Sequence, residues 1–150
     1  MQPTRRGFTL IEIVVVLLVG GILTSIALSG FGRARGAYAV RGARNTMSAL
    51  HARARAQAIE RGTRVILFVD PGADSVSVTR GGTVLETIRF ANEMQVDIRT
   101  STGTAVRLCM NARGYADESC NSFTTPVSIS FWHNADSASV RLLTLGQLVY

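Results

Sequence analysis

From Ile13 to Phe31 the chain runs 19 residues without a charged side chain, and one carboxylate, Glu12, stands at the edge of that run. A helix of this length matches a bilayer core of roughly 30 Å. A carboxylate at the edge of an apolar span costs on the order of a few kcal/mol unless something rewards it. Arg5, Arg6 and Gly7 come immediately before, followed by Phe8-Thr9-Leu10-Ile11. An ordinary secretory signal is the competing reading, with Ser25-Ile26-Ala27 as a small-x-small cut site. Nothing in that reading uses an acid within the apolar run. A plain anchor with an incidental Glu fails on the same point. Arginines flank the span on both sides, Arg33, Arg35, Arg41 and Arg44 following it, so counting them favours the opposite topology and does not set the orientation.

The run Arg5-Arg6-Gly7-Phe8-Thr9-Leu10-Ile11-Glu12 resembles the class III signal of type IV prepilins and type II secretion pseudopilins. The resemblance implies that a prepilin peptidase cuts between Gly7 and Phe8 on the cytoplasmic side and N-methylates Phe8. It also implies that Glu12 serves subunit assembly. A glycine at the cut lets the chain lie extended without a side chain. Glu12 falls about one helical turn inside the new terminus, where a neighbouring subunit's terminal amine can pair with it. The N-terminus is placed in the cytoplasm on this motif.

Removing the leader and span leaves roughly 120 residues, enough for one domain with one core. The net charge of +6 is uneven: residues 33–64 hold eight Arg against one Glu, whereas residues 65–150 hold six Arg against eight acids. All 16 basic side chains are Arg, which we read as compositional. The two cysteines, Cys109 and Cys120, enclose a short loop beyond the span. In an oxidising compartment they form a disulfide; free thiols and zinc are the alternatives, although His51 and His133 give no recognised ligand spacing with them. No metal or cofactor site is expected.

Between Gly36 and Ile59 there is no proline, and Val40, Ala43, Met47, Leu50, Ala54 and Ala58 recur at three- and four-residue intervals. That period describes a helix with one apolar face. Arg41, Arg44 and Arg55 fall within an arc of roughly 60° on one flank, and Arg53 on the other. Gly62 supplies the stop. Strands are predicted at 64–69, 75–79, 83–90, 95–99, 105–110, 127–132, 139–144 and 147–150. Asp70-Pro71-Gly72-Ala73-Asp74 is the first turn, Gly81-Gly82 a hairpin and His133–Asp136 a further turn. The expected fold is α+β: a leader over 1–7, a transmembrane helix over 8–31, its amphipathic continuation over 32–62, and an antiparallel β-sheet domain over 63–150.

Ala52–Leu67, Val106–Tyr115 with Ala112-Arg113-Gly114, and Ser139–Tyr150 with Gly146 resemble, in that order, segments of the GspH/FimT-type minor pseudopilins and pilins. The resemblance implies a single-pass subunit of the bacterial inner membrane with a periplasmic C-terminal domain. It implies as partners other pseudopilins or pilins, prepilin peptidase, the inner-membrane assembly platform and membrane lipid. A type II secretion pseudopilus is the first expectation, a type IV pilus involved in assembly or DNA uptake the alternative. DNA contact through Arg41, Arg44, Arg53 and Arg55 is weighed against a solvated or subunit-facing surface. The C-terminal Gly-Arg-Val-Arg element of the DNA-binding members is replaced here by Gly146-Gln147-Leu148-Val149, so DNA binding is not carried over. An enzyme is not expected: no Ser lies in a Gly-x-Ser-x-Gly elbow, and Gly81-Gly82 opens no phosphate loop. His51 reads as packed or solvated, and Phe131 and Trp132 as core or interface residues.

Overall fold

The computed structural model describes residues 9–150, and the side chains of 27–33 are not described. Gly7 and Phe8 therefore lie outside the described residues. The chain divides into two compact units, 1–35 and 36–150. One helix, α1 (Leu10–Arg61), contributes to both.

In the first unit α1 begins at Thr9, whose hydroxyl accepts from the Glu12 N–H at 3.4 Å, and Glu12 occupies the first turn. A Thr at the cap satisfies an otherwise orphaned donor, and a carboxylate three residues on suits the positive end of the helix dipole. Every side chain described from Thr9 to Ile26 is exposed. Among the described residues no helix is long and apolar enough to cross a membrane. The 8–31 span expected from sequence runs at both ends into residues whose side chains are not described.

In the second unit the apolar stripe of α1 is buried as its spacing predicts. Val40, Ala43, Met47, Leu50, Ala54 and Ala58 are all at most 3% exposed. The helix ends where Gly62 adopts φ +59°. There the Thr63 N–H reaches the Ala58 carbonyl and the Gly62 N–H that of Ile59, a Schellman closure.

Among the described residues eight strands form two antiparallel sheets of four, not one. These strands are β1 (Val65–Asp70), β2 (Ser75–Arg80), β3 (Thr83–Arg89), β4 (Asp97–Thr100), β5 (Val106–Met110), β6 (Val127–His133), β7 (Asp136–Leu142) and β8 (Leu148–Val149). The orders are β3-β2-β1-β5 and β4-β6-β7-β8. Hairpin chemistry fixes the local pairs. Gly81 and Gly82 both have positive φ and join β2 to β3 with Arg80 opposite Thr83, as a two-residue turn of the primed type demands. Asn134, at φ +53°, performs the same service between His133 and Asp136. Buried residues alternate along β1, β2 and β6, and the inner faces share one core with the α1 stripe.

The expected strand through Phe90 is corrected. β3 stops at Arg89, and Phe90–Met94 form a short helix, α2. Phe90 is fully buried with its ring centroid 5.5 Å from that of Phe131, and its N–H donates to the Asp74 carbonyl at 2.8 Å. Burying that ring outweighs one more rung of an edge strand. Asp74 also accepts the Ile98 N–H on Oδ1 at 2.6 Å, tying the β1–β2 turn of one sheet to β4 of the other.

Candidate functional site

Glu12 sits three residues past the cap of α1, 67–83% exposed side chains of Leu10 and Ile11 just ahead of it and Ile13 to Val19 behind. The carboxylate forms no ion pair among the described residues. A lone carboxylate on an exposed apolar helix surface can accept a cation from outside the chain. Among the described residues no group of His, Cys, Asp or Glu is placed to hold a metal.

The arginines weighed from sequence as a DNA contact take different partners. Arg53 Nη1 contacts both oxygens of Glu86 at 2.5 Å. The guanidinium of Arg44 lies 5.1 Å from the Tyr150 ring centroid, and that of Arg55 lies 5.9 Å from the Tyr115 ring. Arg41 is exposed on α1. Three of these four groups are thus engaged by partners within the chain. Arg53 is neutralised and the guanidiniums of Arg44 and Arg55 are stacked on tyrosines, which weakens them as phosphate contacts.

His51, read from sequence on the border of the apolar face, is buried at 8% exposure. Its Nε2 lies 2.7 Å from the Gly146 carbonyl, so the ring donates there as the Nε2–H tautomer. Burial pushes its pKa below 6.5; the carbonyl opposes that shift, and nearby Arg55 reinforces it. This histidine fastens the β7–β8 turn to α1. Tyr150 completes the fastening by donating to Ser48 Oγ at 2.8 Å.

Cys109 and Cys120 are joined in a disulfide. Asn121 Oδ1 accepts from the Cys109 N–H at 2.8 Å, and Asp117 caps the same loop. The Ser119 hydroxyl donates to Asp117 at 2.6 Å and holds its carboxyl below the usual carboxylate range, with Arg64 adding to the effect. Phe131 is a core residue. Trp132 is half-buried beneath Arg99, whose guanidinium lies 4.8 Å from its ring centroid.

The family description "Prokaryotic N-terminal methylation motif" matches residues 3–28, the segment that contains Glu12. Two solved structures, both of the type IV minor pilin FimU of Pseudomonas aeruginosa strain PAO1, are similar in fold. One has a TM-score of 0.54 at 11% identity, covering 73% of this chain and 85% of that one. The other, from a second crystal form, has a TM-score of 0.52 at 11% identity, covering 72% and 89%. No curated protein sequence matches the chain. The chain therefore carries a prokaryotic N-terminal methylation motif ahead of a domain similar in fold to the type IV minor pilin FimU.

Proposed function

We propose that the protein is a minor subunit of a type IV pilin-like filament. Prepilin peptidase removes residues 1–7, Phe8 is N-methylated, and the apolar half of α1 holds the chain in the inner membrane until assembly. The domain over 36–150 faces the periplasm. Glu12 receives the terminal amine of a neighbouring subunit, offsetting the cost of carrying a carboxylate into apolar surroundings. The observation that carries this reading is the methylation motif running directly into an exposed apolar helix with a single acid in its first turn. An exposed apolar surface of this extent marks a membrane or protein interaction rather than a solvated face.

Replacing Glu12 with Ala should leave the β domain folded and abolish incorporation into filaments. Sheared filament fractions probed for the protein, beside a melting curve of the same variant, check this. Unimpaired incorporation would sink the role given to Glu12. A bulky residue in place of Gly7 should leave a precursor heavier by the seven-residue leader, visible by mass spectrometry of membranes.

Sequence reading put the secretion pseudopilus first, but both solved neighbours are subunits of a type IV pilus, and on that observation the pilus reading takes precedence here. Deleting the gene distinguishes them: loss of surface filaments supports the pilus, and retention of secreted enzymes in the periplasm supports the secretion system.

A further inference from the structure

The end of α1 and the β2–β3 hairpin enclose two adjoining hollows that share Arg80. One is lined by Arg53, Gln57, Arg61, Val78, Arg80, Leu85 and Glu86. The other is lined by Thr63, Arg64, Ile66, Arg80, Gly81 and Gly82. Two of the four arginines are already matched, Arg53 by Glu86 and Arg64 by Asp117 at 2.6 Å. Arg61 and Arg80 have no ionic partner among the described residues. Arg80 is nevertheless held in place, its Nη1 donating to Gln57 Oε1 at 3.1 Å while its other N–H groups remain for a ligand.

The wall facing these arginines has an unusual construction. Pairing of β2 with β3 slips between Val78 and Thr79, so that Val78 faces Glu86, Thr79 faces Val84, and Leu85 is the extra residue. Successive strand residues normally point to opposite faces, and a bulge re-aims one of them. Here the bulge lets both Leu85 and Glu86 line the same hollow. Leu85 is 39% exposed and its neighbour Val84 58%. The hollow thus sets guanidinium groups from α1 and β2 beside the apolar Leu85 of β3, the outer strand of its sheet.

We infer that this hollow binds an extended acidic segment of another protein, with carboxylates on Arg61 and Arg80 and an apolar side chain on Leu85. Charge complementarity selects an anionic partner, and bidentate guanidinium–carboxylate pairing gives it geometry. A nucleic-acid backbone fits less well, because it brings no apolar side chain to cover Leu85. The inference rests on the assembly reading only in taking that other protein to be a fellow subunit.

The test uses the full chain in detergent micelles and a fluorescent peptide alternating Glu and Val, followed by anisotropy. The expected result is binding that weakens with added salt and falls about tenfold in Arg61→Gln and in Arg80→Gln. Arg113→Gln lies outside both hollows and should bind as the parent does. Arg61 is exposed at the helix end, so its variant keeps the test clean if loss of the Gln57 contact disturbs folding. The proposal is overturned by absence of binding, by equal binding of a Gln–Val peptide, or by undiminished affinity in Arg61→Gln. Duplex DNA binding through the same arginines with comparable affinity also overturns it. None of these outcomes touches Glu12-dependent incorporation, so the two readings fail separately.

Discussion

At the scale of single residues, the sequence located positions better than it located their partners. His51 stood at the edge of the apolar stripe, but the carbonyl it meets is 95 residues away, and no local pattern points to Gly146. Burial keeps this imidazole neutral, whereas in the unfolded chain it takes a proton near pH 6.5. Its folded pKa being the lower one, stability is complete above that pH and declines as the pH falls through it. Melting temperatures of the parent should therefore drop between neutral and mildly acidic pH, and His51→Gln, which keeps a donor, should flatten that dependence. A parent whose melting point is unchanged across the range would refute this. Gly146 itself has φ +81°, and a Cβ there would lie 3.1 Å from the Ala116 backbone nitrogen. Gly146→Ala should cost about 1–3 kcal/mol in denaturant unfolding, from strain in the left-handed region alone. Thr9 lies within the signal, and its hydroxyl's capping of the Glu12 N–H is visible only in the structure.

Elements were legible where the signal is periodic or stereochemical. The 3.6-residue stripe of α1, the Gly62 stop and the Gly81-Gly82 turn each follow from local chemistry, and each is present. What failed was the end of β3, because alternation of Thr83 through Arg89 carried on into Phe90 without a turn residue to halt it. The strand ends there because the Phe90 ring is drawn into the core against Phe131, a tertiary effect that outranks strand propensity. The buried stripe of α1 is the helix's main hold on the sheets. Leu50, 1% exposed, should cost about 2–5 kcal/mol when cut to Ala, measured as the shift in unfolding free energy. Replacing exposed Asn45 with Ala on the same helix should change it by less than about 0.5 kcal/mol.

On the scale of the whole molecule, the α+β class was readable and the division into two sheets was not. Turn chemistry specifies neighbours in sequence, but β1 with β5 and β4 with β6 pair across long intervals, and nothing local encodes those choices. The disulfide closes a loop with a sequence separation of 11 next to one such long-range strand. Reduction should lower stability by roughly 3 kcal/mol if the chain-entropy account holds, seen as an earlier denaturant midpoint with an unaltered slope. Asp74 adds a different kind of long-range constraint. One residue offers its carbonyl to Phe90 and its carboxylate to Ile98, acting as a rivet through both layers. Neither layer can peel away alone without stranding that carboxylate, so amide protons on β2 and on β4 should exchange with solvent at a common free energy. Asp74→Ala should uncouple the two exchange rates.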